Sequence, residues 1–210
     1  MPGGEYLYNL HVQTSSEAYG FEEITIIDRL PYIGDTGVIV TGAQRGTEWL
    51  PILQEDTVTV KCGDVVLDAS QYMVEYSEAK RDMQGNTTTS LIFGDDDWAN
   101  AGGGQWTTTW SQDAQGIRIR ITDQNVKITR EKDLVVSFKM TVPNNAPANQ
   151  MAWNSFGFSV TPAKISEGTK DDRFAAEPIK VGVKTAHTNI EFEKLFADGT
   201  KVKDCSNVRF

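Results

Sequence analysis

The chain has 210 residues, 39% of them hydrophobic and 23% charged, with a formal net charge of -9. That length suits one large domain, or one domain with an appendage, and the composition excludes a disordered chain. The acidic balance excludes a basic nucleic-acid-binding face, and no apolar run reaches the roughly 18 residues of a membrane helix, so neither nucleic acid nor membrane insertion is expected.

In chain order, strand signals dominate. Tyr6, Tyr8, Leu10 and Val12 alternate with Leu7, Asn9 and His11, the period of a half-buried strand. Ile24 and Ile26 are in phase with Asp28, which opens Asp28-Arg29-Leu30-Pro31. Val58, Val60 and Cys62 follow the turn-like Gln54-Glu55-Asp56; Tyr72, Val74 and Tyr76 form a further set, and Leu91 and Phe93 another. Ile117, Ile119 and Ile121 alternate with Arg118, Arg120 and Thr122, and Leu134 to Val142 repeats the pattern. Ala152, Asn154, Phe156, Phe158 and Val160 share one face, and after a polar excursion comes Ala176-Glu177-Pro178-Ile179-Lys180-Val181-Gly182-Val183. Short alternating runs separated by Gly, Asn, Asp and Pro predict an all-β, antiparallel, two-sheet sandwich. At most a turn of helix is predicted near Ser77 to Met83 or Thr129 to Asp133.

Asp28-Arg29-Leu30-Pro31, paired with Asn154-Ser155-Phe156-Gly157 and Glu177-Pro178-Ile179-Lys180-Val181-Gly182, resembles the immunoglobulin-like stalk repeats of Gram-positive cell-surface adhesins and pilus-type proteins. The resemblance spans residues 5–184. Residues 185–210 read as a connector followed by a partial repeat or a C-terminal hairpin. There Ile190, Phe192, Lys194 and Phe196 share a face before the Asp198-Gly199 turn, which resembles the opening of a collagen-adhesin B-type repeat. The connector from Thr185 to Thr188 has no glycine run and is expected to be stiff. The resemblance implies an immunoglobulin-like sandwich in an extracellular, cell-wall-anchored parent. It implies a structural stalk or adhesion role, holding a binding tip away from the wall, with neighbouring domains of the same polypeptide as partners. Met1-Pro2-Gly3-Gly4 lacks the basic and apolar regions of a signal peptide, so export and anchoring signals are expected elsewhere in a longer parent.

Three constellations carry candidate chemistry. Lys194, in phase with apolar neighbours, would be a costly buried charge and so a neutral nucleophile, unless its stem lies along the apolar face with the ammonium in water. In B-type repeats a matching lysine attacks an asparagine side-chain amide beside a protonated acid; ammonia leaves and an intramolecular isopeptide bond remains. Asp28 and Asn154 supply an inward acid and amide of that kind. Lys61, Lys127, Lys139 and Lys180 all fall on outward phases, so the pair reads first as structural hydrogen-bond partners. The third constellation runs from Gly94 to Trp110. Trp98, Trp106 and Trp110 there are candidate contacts for a host glycan or extracellular-matrix protein, against the alternative that the rings pack in the core. Asp95, Asp96 and Asp97 are weak Ca²⁺ candidates lacking the spacing of an EF-hand, and no metal or other cofactor is expected.

Cys62 and Cys205 read as two independent small apolar residues, and His11 and His187 stand alone by sequence. With no nucleophile motif and no phosphate-binding loop, no enzyme activity is expected; a glycan hydrolase would need two converging carboxylates.

Overall fold

The computed structural model describes residues 3–15, 20–78, 95–98, 106–162 and 173–186. The alternation of β1 (Glu5–Val12) buries Tyr8, Leu10 and Val12 and leaves Leu7 and His11 exposed. β1 pairs with β8 (Leu134–Thr141) along its whole length, and the other edge of β8 carries β3 (Ile52–Leu53) and β4 (Thr59–Cys62). β5 (Val65–Val66) completes this five-stranded sheet as a hairpin on β4.

The second sheet has the order β10 (Phe174–Ala176), β9 (Met151–Pro162), β2 (Phe21–Arg29), β7 (Ala114–Ile121) and β6 (Tyr72–Glu78). β11 (Val181–Lys184) continues the β10 edge of β9. All strand pairings are antiparallel. Leu10, Val60, Leu134, Phe138 and Met140 of the first sheet meet Ile26, Ile117, Ile119 and Val160 of the second in one core. The protein is therefore an all-β, antiparallel, two-sheet sandwich.

Alternation fails to describe β2 and β7, which are buried on both faces. Ile24 and Ile26 enter the main core, whereas Ile27 packs on the opposite side of the sheet with Val38, Trp98 and Trp106. Arg118 and Arg120 sit on the phase that faces water in a bare sandwich, yet they are 0% and 6% exposed. Over Arg118 the cover is α1 (Asp95–Trp98), the single helical turn among the described residues, together with Trp106. The helical turn expected at Thr129 to Asp133 is not found, and of the one expected at Ser77 to Met83 only Ser77 and Glu78 are described. Ser77 and Glu78 extend β6, and Thr129 and Lys132 close a tight turn through reciprocal backbone hydrogen bonds. Residues 79–83 and the Leu91 and Phe93 strand lie outside the described residues.

Both outer strand ends meet at one end of the sandwich. β1 starts with Glu5 opposite Thr141, and β11 finishes with Lys184 opposite Met151. The 142–150 loop joins β8 to β9 there, and Tyr6, Trp49, Val142, Ala146, Ala152 and Val183 pack together over it. Thr185 belongs to this end. It is buried, its N–H donates to the Gln150 carbonyl at 3.0 Å, and its carbonyl accepts from Asn149 N–H at 3.0 Å. Its Oγ1 donates to the Pro147 carbonyl and accepts from Gln150 N–H at 3.1 Å. Thr185→Ala is expected to cost about 1–2 kcal/mol in a denaturant melt, because the Gln150 amide loses a buried acceptor. An unchanged midpoint would show that the segment is a free connector.

Candidate functional site

The two sequence signatures, far apart in the chain, converge on one buried polar cluster. β2 ends at Arg29, and Pro31 cannot continue the ladder, so residues 30–47 leave the sheet and fold back across β9. Gly34 (φ +85°) and Gly46 (φ +82°) supply the left-handed positions that this fold-back needs.

Arg45 is the hub. It is 4% exposed, its Nε and Nη2 donate to Asp35 Oδ2 (Nε at 3.0 Å), and Nη2 also donates to the Arg29 carbonyl at 2.7 Å. Its Nη1 donates to Asn154 Oδ1 and to the Ser155 carbonyl, both at 3.3 Å. Asp35 Oδ2 is further held by Thr47 Oγ1 at 3.1 Å and Tyr32 N–H at 3.0 Å. Asn154 then donates from Nδ2 to Asp28 Oδ2 at 2.8 Å. The chain thus runs Asp35, Arg45, Asn154, Asp28, from the loop across β9 to β2.

A second clasp uses the interruption between β10 and β11. Glu177 Oε1 accepts from Val38 N–H at 3.1 Å and Ser155 Oγ at 2.6 Å, and its Oε2 accepts from Ile39 and Val40 N–H at 2.6 and 2.8 Å. Three consecutive amides on one carboxylate form an anion nest supplied from within the chain. A Cβ at Gly37 would strike that carboxylate. Lys180 Nζ donates to the Arg45 carbonyl at 2.5 Å and lies 4.7 Å from the centre of the Trp153 ring. Between the clasp and the loop lies a groove of about 330 Å³, walled by Val40, Ala43, Pro178 and Ile179.

Burial pushes the Asp28 carboxyl up to about 7, against the opposing pull of the Asn154 hydrogen bond and the Arg45 charge. Its Oδ1 is buried without a hydrogen-bond partner. Tyr6 and Tyr8 face the same end of the core, and burial raises both phenols above their ordinary range. The Asn154 amide bonds Asp28 and Arg45, and neither is a nucleophilic amine. Lys61, Lys127 and Lys139 are exposed, and Lys180 is engaged as described. Lys194 lies outside the described residues, as do His187 and Cys205. Cys62 sits in the main core, where burial pushes its thiol up.

The tryptophans do not form the exposed platform their composition suggests. Trp98 is 9% and Trp106 7% exposed, and Trp110 packs half-buried against the main core. Trp106 Nε1 donates to Asp97 Oδ1 at 2.6 Å, and its ring lies 4.8 Å from the Arg118 guanidinium. Arg118 Nη1 in turn donates to the Asp97 carbonyl at 3.0 Å. Glu75 takes Arg118 Nε at 2.8 Å and Arg120 Nε at 2.7 Å. Burial alone would raise the Glu75 carboxyl, but the hydrogen bonds and charges of the two arginines hold it below its ordinary range. Asp97 is thus committed to protein contacts, and the Asp95 and Asp96 side chains lie outside the described residues. Among the described residues no group of three His, Cys, Asp or Glu side chains is placed to hold a metal.

Trp98 packs so closely on β9 that a Cβ at Gly157 would lie 2.7 Å from its ring and 3.0 Å from Val38. Gly157→Ala is expected to cost about 1–3 kcal/mol as an overpacking change. The double variant with Trp98→Ala should lose less than the sum of the two singles, which a double-mutant cycle of chemical melts would read.

Arg45, Asp35 and Glu75 are absent from the sequence expectations. A charged residue on a loop, or on a strand's outward phase, gives no sign that another loop will cover it. Glu177 and Lys180 lie within the resembling stretch, which left their partners unstated.

No family model and no curated protein matches the chain. Among solved structures it is similar to the full-length major pilin SpaD of Corynebacterium diphtheriae, at 12% identity and a TM-score of 0.43, over 87% of this chain and 31% of that one. It is similar also to ACE19, the collagen-binding subdomain of Enterococcus faecalis surface protein ACE, at 11% identity and a TM-score of 0.43, over 86% of this chain and 88% of that one. A third is the C-terminal fragment of the major pilin GBS80 of Streptococcus agalactiae, at 12% identity and a TM-score of 0.42, over 95% of this chain and 55% of that one. The chain spans about a third of the full-length pilin.

Proposed function

We propose that this sandwich is a structural module of a bacterial cell-surface adhesin or pilus-type protein, one that carries and spaces the parts that bind. The observation behind this reading is the convergence of Asp28, Asn154 and Glu177, the residues of the resembling signatures, on a clamp that fixes the 30–47 loop to β9. Each of these side chains is spent on internal hydrogen bonds. Burial of Trp98 and Trp106 takes away the ring faces that a glycan or matrix protein would use in the binding-module reading.

The test passes the full chain over immobilised collagen, fibronectin, fibrinogen and a glycan panel. The structural reading expects no saturable binding. Saturable binding abolished by Ile179→Asp in the groove, with the melt unchanged, would overturn it in favour of a binding module. Intact mass supplies a second readout: the clamp as described leaves the mass equal to that calculated from sequence. A deficit of one ammonia would place a covalent bond in the chain, with Lys194 its first candidate amine.

A further inference from the structure

Tension reaches a sandwich through the strands at which the chain joins it. Among the described residues the first and last strands are β1 and β11, each at an edge of its own sheet. Their outer ends, at Gly3 to Glu5 and Lys184 to Thr185, lie at the same end of the molecule. Drawing them apart loads each ladder from one end only. The terminal hydrogen bond then carries nearly all the force, and the bonds break one after another. Attachments at opposite ends would instead share the load along the whole ladder.

The two ladders are unequal. β1 holds β8 over eight residues and buries Tyr8, Leu10 and Val12. β11 holds β9 over four residues and leaves Val181 59% exposed. A peel of β11 starts at the Thr185 bonds to the 147–150 loop and runs back to Val181. There it meets Lys180 and Glu177, whose side chains grip the 38–45 loop, itself held by the buried Arg45 and Asp35 pair.

We propose that β11 is a tension-released strap: under load Val181 to Ala186 detaches first, and Lys180 with Glu177 stops the peel before the sandwich opens. The biological load rests on the surface-protein reading above, whereas the order of detachment rests on the ladders alone. The freed segment of six residues adds at most about 20 Å, at roughly 3.3–3.6 Å per residue.

The experiment is an optical-trap measurement on the full chain with handles on Gly3→Cys and Ala186→Cys, in a Cys62→Ala, Cys205→Ala background. The expected record is a small reversible lengthening of at most about 20 Å, followed by global opening at higher force. Moving one handle to Glu131→Cys, at the opposite end, should remove the small step and raise the opening force several-fold. Glu177→Ala should let the first step run on into global opening. Hydrogen exchange without load adds a readout that needs no variant: Val181 to Lys184 amides should exchange well ahead of those of Tyr8 to Val12. A single rupture at the same force from both handle pairs, or a first step indifferent to Glu177→Ala, overturns the strap. So does equal protection of the two strands. Saturable binding to matrix proteins would replace the structural-module reading with a binding module and leave the strap standing.

Discussion

Replacing Arg45 by alanine is expected to lower stability by about 3–5 kcal/mol, the usual size for breaking a buried charge pair by removing one partner. The guanidinium satisfies Asp35, two backbone carbonyls of the 29–30 turn and the Asn154 side-chain oxygen at once. Its loss leaves the fully buried Asp35 carboxylate with only Tyr32 N–H and Thr47 Oγ1. It also leaves Glu177 and Lys180 to hold the loop through its backbone, without the Arg45 side chain beneath it. Arg45→Lys should recover little, since an ammonium keeps the charge but lacks the planar fork that spans several acceptors. Guanidinium chloride melts of the three proteins at neutral pH read the difference. A loss under about 1 kcal/mol for Arg45→Ala would mean that water enters and rehydrates Asp35.

The second large effect is a dependence on pH set by Asp28. Its folded carboxyl titrates near 7, above the ordinary 3.8, so the folded state holds its proton more tightly than the unfolded chain does. The stabilising contribution is therefore full below about pH 4 and is lost as pH rises through 7. The gap corresponds to about 4 kcal/mol at roughly 1.4 kcal/mol per pH unit. Other carboxylates act in the opposite sense on acidification, so the informative quantity is the difference from Asp28→Asn, which carries no charge at any pH. Between about pH 4 and pH 7 the wild type should lose ground steadily to that variant, and above about pH 8 the difference should level off. Parallel stability curves for the two proteins would show that Asp28 titrates normally and that the site is hydrated.

The sandwich was legible because its strands alternate against a single shared core: Leu10, Ile26, Ile119 and Phe138 all lie where period two puts them. Asp28 and Asn154 were legible for the same reason, each in phase with apolar neighbours on its own strand, and the structure joins them at 2.8 Å. Arg118 was not legible. Its phase on β7 is the outward one, and the Trp106 ring and the Asp97 carbonyl laid above it make that position an interior one. Trp98 carries two readings for a related cause: an indole in a Gly- and Asp-rich stretch looks like a binding loop, yet Gly157 makes room for it on β9. Local pattern reports which side of a strand is apolar. It does not report what a distant loop will later lay across the other side.

That the clamp joins distant parts of the chain also sets the timing of folding. Asp28 and Asn154 are 126 residues apart, and β1 has no sheet partner but β8 among the described strands. β1 therefore waits, its edge and apolar face unpaired, until β8 has emerged. Topologies of this kind close slowly because loop entropy is spent before any long-range contact repays it. During that interval β1 and β2 are the segments most open to pairing with another copy, and crowding nascent chains together should raise aggregation before any folded-state property changes.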